Sequence, residues 1–310
     1  MRKCCFGIPL AAPKLSQMKS IPLKTVDVFT TTPFKGNPVA VVLDASALTA
    51  VQMQQIASWT NLSETTFVLP VTAPGADYHL RIFTPGGELP FAGHPTIGTA
   101  HALLEAGQVT ARDGVLVQQC GAGLVRLTVD DVPGGARWIS FDLPTPTCTP
   151  LVGVQAEELG AIIGTPLAPG ATPCLVDVGA RWVVAQLPSA EAVLKCAPDF
   201  ARMKVQDVKG RHTGVVIFGP HAPGAGARIE VRAFAPAHGI NEDPVCGSGN
   251  GSLAAYLRHT GQADAFGHDF LATQGACVGR AGTLRLSISD DVIRVGGNAI
   301  TCIDGAIRLP

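Results

Sequence analysis

Two copies of one motif decide what this chain can fold into. The stretch Glu88-Leu-Pro-Phe-Ala-Gly-His-Pro-Thr-Ile-Gly-Thr-Ala-His-Ala-Leu-Leu-Glu-Ala-Gly107 is a turn rich in Pro and Gly, then a run of small and apolar residues. It returns 154 residues later, counted from Glu88 to Glu242, as Glu242-Asp-Pro-Val-Cys-Gly-Ser-Gly-Asn-Gly-Ser-Leu-Ala-Ala-Tyr-Leu-Arg-His-Thr-Gly261. Glu88, Pro90, Gly93, Ala100, Leu103 and Gly107 match Glu242, Pro244, Gly247, Ala254, Leu257 and Gly261. The lead-ins Arg81-Ile-Phe-Thr-Pro85 and Arg232-Ala-Phe-Ala-Pro236 match as well. A helix apolar on every side has to be buried. Each copy therefore predicts a strand, a glycine turn and a helix enclosed by its own half, and the chain reads as two β-rich α+β units, each wrapped on one central helix.

Apolar alternation predicts strands over residues 25–30, 39–43, 61–69 and 77–84, and an amphipathic helix over 46–59. Short strands follow over 114–119, 123–129 and 136–142. The Pro- and Thr-rich stretch 144–150 lacks periodicity and reads as the boundary between domains 19–143 and 144–300, with the last residues of the chain available to complete the first. The second half predicts helices over 156–163 and 189–196, and strands over 174–178, 181–186, 214–218 and 227–233. After the second buried helix come strands over 270–278, 282–288, 292–297 and 299–303. Residues 1–18 read as a disordered extension, with Met18 a second candidate start.

A length of 310 residues suits two domains of roughly 100–150 each. With 46% hydrophobic and 15% charged residues there is ample material for a core. A net charge of −1 gives no reason to expect nucleic acid, and no apolar run is long enough for a bilayer. The nine cysteines are scattered and form no C-x-x-C pair, which argues against zinc and for reduced thiols in the cytoplasm.

The chemistry concentrates at the two helix starts. Gly93-His94 and Gly247-Ser248-Gly249-Asn250 present free N–H groups at the positive ends of two buried helices, where anions bind. If the halves pack by pseudo-symmetry, both ends face one interdomain cleft, a favoured place for a small-molecule site. Glu64 opens an apolar strand; burial would raise its pKa toward that of a general base, and the plainer reading is an exposed edge residue. His94 is a candidate proton carrier or a capping residue. Asp243, at the mirror place before Pro244, would orient His94, bind substrate or cap its helix. Ser248 is an N-cap candidate whose hydroxyl and N–H both suit a ligand. Cys246, near a helix N-terminus, has the place of an acid–base thiol, but its partner position is Ala92, so packing is the better reading. The loops 72–75 and 220–226 are the expected shapers of the pocket.

Asp27-Val-Phe29, Phe34-Lys-Gly-Asn-Pro38, Asn61-Leu-Ser-Glu-Thr-Thr-Phe67, Arg81 to Pro85 with Glu88 to Thr96, Glu242 to Gly249, and Gln274-Gly with Gly279-Arg280 stand in the order of the PhzF-like isomerases of phenazine biosynthesis. From about Val26 to near the C-terminus the chain resembles this family, which shares the diaminopimelate epimerase fold. The resemblance implies two similar domains, each a rolled sheet around a central helix, with the active site between them. It also implies a homodimer, no metal and no organic cofactor. Glu64 falls on the glutamate that shifts a proton between two carbons of a cyclic dihydro-hydroxyanthranilate. His94, Asp243 and Ser248 fall on its supporting residues, and Asn37 resembles a substrate-binding asparagine. Where the family has Thr, this chain has Cys246, which aligns with one of the two thiols of racemases on the same fold; Ala92 stands at the other. An amino-acid racemase using Cys246 and a non-catalytic ligand-binding protein are the rival readings.

Overall fold

The computed structural model describes residues 19–132 and 135–309. The expected extension over 1–18, with Cys4 and Cys5, lies outside the described residues.

The first half runs β1 (Lys19–Val28), β2 (Asn37–Val42), α1 (Ala50–Thr60), β3 (Thr65–Leu69), β4 (Tyr78–Thr84), β5 (Gly87–Leu89), α2 (Gly93–Glu105), β6 (Val115–Cys120), β7 (Gly123–Asp130) and β8 (Trp138–Asp142). The second runs β9 (Thr147–Pro150), α3 (Val154–Ile163), β10 (Cys174–Asp177), β11 (Arg181–Gln186), α4 (Ala190–Lys195), α5 (Phe200–Gly210), β12 (Gly214–Pro220), β13 (Ile229–Ala235), β14 (Ile240–Asp243), α6 (Gly247–His259), α7 (Ala263–Phe266), β15 (Asp269–Gln274), β16 (Gly282–Ile288) and β17 (Ile293–Gly297). The last strand, β18 (Ala299–Leu309), pairs with β1.

Strand pairing exposes the duplication. One run is β18-β1-β2-β3-β4-β6-β7-β8. The other is β9-β10-β11-β12-β13-β15-β16-β17. Parallel pairs fall at the same places, β2/β3 and β4/β6 against β11/β12 and β13/β15. The runs join where the equivalent strands β8 and β17 pair antiparallel, with Arg294 donating to Asp142 at 2.7 Å across the seam.

Each run curls round its own helix. Ten of the thirteen residues of α2 are buried, and so are ten of the thirteen of α6. The small residues allow close approach: a Cβ on Gly98 would stand 2.4 Å from Val39, and one on Gly251 2.5 Å from Leu143. The outer faces are covered too, by α1 on Val42, Phe67 and Phe83, and by α3, α4 and α5 on Val183, Ile217 and Phe234. Burial on both faces explains why β13, Ile-Glu-Val-Arg-Ala-Phe-Ala, is buried throughout and loses the alternation of a half-exposed strand.

Several boundaries differ from expectation. Helix α1 starts at Ala50, because Thr49 and Gln52 close a capping box that fixes its first turn. Residues 147–150, expected as linker, form β9 against β10. The strand expected over 270–278 stops at Gln274, where Gly275 turns into the left-handed region at φ 102°. Elements α7, β5 and β14 are too short to show a period, and the apolar residues of α5 do not mark the face it buries, which carries Met203 and Asp207. Among the described residues no helix is long and apolar enough to cross a membrane.

Candidate active site

The two central helices meet N-terminus to N-terminus. A Cβ on Gly93 would lie 3.5 Å from the Gly247 Cα and 2.8 Å from the Phe141 ring; one on Gly247 would lie 3.5 Å from the His94 nitrogen and 3.3 Å from Phe29. A side chain at 93 would collide with the Phe141 ring, and one at 247 would press on the Phe29 ring. The first N–H groups of a helix have no intrahelical acceptor, so the leading amides of α2 and α6 supply positive potential at one place from both halves.

Glu64 sits immediately before β3, with its side chain 14% exposed and Oε2 3.1 Å from His94 Nε2. The two atoms are close but off line for a formed hydrogen bond. Burial first, and then the nearby Asp243 carboxyl, push Glu64 up to about 8, against a contact with Ser63 that pulls it down. Burial pulls His94 down to about 3, opposed by the Pro38 backbone. His94 is therefore a neutral imidazole, and near neutral pH the proton of this pair belongs to Glu64.

Asn37 opens β2 and is fully buried. Its Nδ2 donates to Asp243 Oδ1 and to the Val245 carbonyl, both at 3.0 Å, and lies 3.4 Å from His94 Nδ1. Asp243 thus reaches His94 through Asn37 rather than directly. Burial raises Asp243 to about 6, partly offset by contacts with Cys246 and the Val245 N–H. The carboxylate-bearing turn is held from the second half by Gln274, which donates to the Asp243 carbonyl at 2.9 Å and accepts from the Cys246 N–H at 3.1 Å and from Asn250 Nδ2 at 2.8 Å.

Ser248 was expected at the N-cap, but Cys246 holds that place and its Sγ accepts from the Gly249 N–H at 3.3 Å. Ser248 is the second residue of α6, half-buried, with Oγ 3.6 Å from Cys246 Sγ. Proximity to a helix start does not acidify this thiol: burial and the Asp243 carboxyl hold Cys246 well above the ordinary range. The site so assembled contains Glu64, His94, Asn37, Asp243, Ser248 and Cys246 together with Gly93 and Gly247. Trp182, which donates Nε1–H to Ser248 Oγ at 3.0 Å, carries no signal in the sequence. The loop after β12, expected to shape this pocket, instead lines a cavity of about 450 Å³ with Arg228, Phe266 and Asp269, none of them a residue of this site. Among the described residues no three or more His, Cys, Asp and Glu side chains are grouped to hold a metal.

A buried carboxyl able to hold or release a proton near neutral pH, beside a zone of converging helix N-termini, suits removal of a proton from carbon and stabilisation of the resulting anion. Comparison with known proteins points the same way. The family described as phenazine biosynthesis-like protein matches residues 26–305. The antisense-enhancing sequence 1 protein of Schizosaccharomyces pombe is 41% identical over 290 residues, covering 91% of this chain and 97% of that one. The trans-2,3-dihydro-3-hydroxyanthranilate isomerase of Pseudomonas chlororaphis is 37% identical over 294 residues, covering 92% and 98%. The crystal structure of a PhzF-family phenazine biosynthesis protein from Bacillus anthracis matches with a TM-score of 0.80 at 26% identity, over 94% of this chain and 99% of that one. The fold is the two-unit α+β arrangement of diaminopimelate epimerase type that the resemblance implied.

Proposed function

This chain belongs to the phenazine biosynthesis-like family and is an isomerase, and on that premise we propose that Glu64 moves a proton between two carbons of a small carboxylate-bearing substrate bound between the starts of α2 and α6. The observation that carries the reading is the Glu64 carboxyl, held at about 8 by burial and by Asp243, 3.1 Å from a neutral His94. In its ionised form Glu64 takes the proton from the first carbon. The amides at Gly93-His94 and Gly247-Ser248 stabilise the anion, and Glu64 returns the same proton to the second carbon. His94, kept neutral by burial, stands 3.1 Å from Glu64, where a small realignment on substrate binding lets the two share a hydrogen bond, and Asn37 ties it to Asp243. The chemistry needs only side chains and backbone amides of the chain itself.

The racemase alternative would use Cys246 as one of two bases on opposite faces. Ala92 at the mirror position and the upward-shifted, capping thiol both weigh against it. The test is turnover of trans-2,3-dihydro-3-hydroxyanthranilate and of simpler unsaturated ring carboxylates by the wild type, Glu64→Gln and Cys246→Ala. Glu64→Gln should lose about 10²–10⁴-fold in kcat, the range of a placed acid–base group, while Cys246→Ala keeps turnover. Full activity in Glu64→Gln would sink the reading. Loss of amino-acid α-proton exchange confined to Cys246→Ala would put the racemase in its place.

A further inference from the structure

Strand register shows what stands at the mirror position of Glu64. Phe83 and Phe234 are the same residue of the duplicated lead-in. Phe83 on β4 pairs with Thr65 on β3, and Phe234 on β13 pairs with Val215 on β12. The residue before Thr65 is Glu64; the residue before Val215 is Gly214. By the same duplication, His94 corresponds to Ser248. Gly214 cannot carry a side chain, because its Cβ would stand 1.9 Å from the Phe234 carbonyl oxygen and 2.9 Å from the Trp182 ring. Trp182 pairs with Gly214 across β11 and β12, is 2% exposed, and directs its indole toward the start of α6.

The two halves therefore build chemically different versions of one contact. In the first, a titratable carboxyl faces His94 at 3.1 Å. In the second, an indole N–H donates to Ser248 Oγ at 3.0 Å. An indole N–H is a donor only and takes up no proton. With one oxygen lone pair occupied by Trp182, the Ser248 hydroxyl hydrogen is directed elsewhere. Its neighbour is Cys246 Sγ at 3.6 Å, and a thiol sulfur is a weak acceptor. A carboxylate oxygen is a far stronger one.

We infer that Trp182 is a positioning residue: its indole N–H, occupying the second half's counterpart of the Glu64 position, holds Ser248 as a fixed hydrogen-bond donor to the substrate carboxylate. The inference rests on the proposed isomerase reading and deepens it. One face of the cleft carries the only proton carrier of the pair of mirror positions, and the other carries an anchor that cannot exchange protons. The substrate is thereby oriented with its carboxylate toward Ser248 and its reacting carbons toward Glu64.

The test uses anthranilate, a ring carboxylate without the reacting hydrogens, with aniline as the control lacking the carboxylate. Calorimetry on the wild type, Trp182→Phe, Ser248→Ala and the double variant should show anthranilate binding weakened about tenfold by either single change, as for loss of one hydrogen bond to a charged group. The double variant should be no weaker than Ser248→Ala, and aniline should be indifferent. In turnover, Trp182→Phe should raise KM more than it lowers kcat and leave the pH midpoint of Glu64 in place. Should Trp182→Phe fold poorly, the unaltered protein gives the answer through its ¹⁵N indole resonances. The Trp182 Nε1–H signal should shift on adding anthranilate and should shift in Ser248→Ala. Unchanged anthranilate affinity in Trp182→Phe, additive losses in the double variant, a motionless indole signal, or no binding of anthranilate to the wild type would each overturn the inference. Retained turnover in Glu64→Gln would instead overturn the isomerase reading, and the binding experiments would stand apart from it.

Discussion

Replacing Glu64 with glutamine should make the folded protein more stable than the wild type in alkaline solution. The buried carboxyl is held at about 8, against 4.5 in an unfolded chain. Because its folded value is raised, the stability it contributes is fully present below about pH 4.5 and is lost as pH rises through about 8. Each tenfold difference in proton affinity corresponds to about 1.4 kcal/mol. The gap from 4.5 to 8 thus makes the wild type lose about 5 kcal/mol relative to a neutral isostere between these limits. Asp243, raised to about 6, titrates in both proteins, so the difference between them reports Glu64 together with its coupling to Asp243. Urea unfolding of both proteins at pH 5, 7 and 9 measures the difference directly. Near pH 5 the two should be similar, and by pH 9 glutamine should lead by several kcal/mol. Parallel curves from pH 5 to 9, or a wild type that gains on the variant as pH rises, would refute the buried, proton-holding state of Glu64.

The duplicated Arg–Glu pair gives an internal control. Arg232 and Glu242 are each 7% exposed at the side chain, whereas Arg81 and Glu88 are 27% and 42% exposed. Glu242→Gln should therefore cost about 3–5 kcal/mol in denaturant unfolding, as for a buried pair losing one member, and Glu88→Gln about 1 kcal/mol or less. Gly93→Ala should cost about 1–3 kcal/mol, because its methyl would meet the Phe141 ring at 2.8 Å. It should also impair turnover by displacing the Phe141 ring that packs beside the helix starts; a variant of wild-type stability and rate would contradict this packing. Alkylation by iodoacetamide at pH 7.5 should modify the exposed Cys277 well before the buried Cys246, as peptide mapping would reveal.

What could be read in advance follows from where each signal is stored. Helices α2 and α6 were legible because their whole circumference is buried, so every residue of the motif reports its surroundings. Helix α5 was not, because it buries Met203 and Asp207 while Val205 and Val208 face outward, so its apolar residues do not mark its buried face. Strand β9 is short, polar and largely exposed, so it has no period of its own and exists through its pairing with β10. The candidate residues could be named from the doubled motif and the family resemblance, but the environment of Glu64 could not. It is set by burial, by His94 on α2 at 3.1 Å and by the charge of Asp243 in the other half, residues brought near only by long-range folding. Trp182 stayed hidden for a related reason: its meaning lies in the glycine at position 214 that makes room for it, and strand register is needed to see that this glycine is the counterpart of Glu64.

The central claim is that one buried carboxyl carries a proton from carbon to carbon. The most direct measurement starts from a ring carboxylate substrate deuterated at the donor carbon and follows the label in ordinary water by NMR. A single, shielded Glu64 predicts that part of the deuterium arrives at the receiving carbon in the wild type, and that neither transfer nor washout occurs in Glu64→Gln. Label that relocates undiminished in Glu64→Gln, or exchanges at its original carbon without ever moving, would contradict the account.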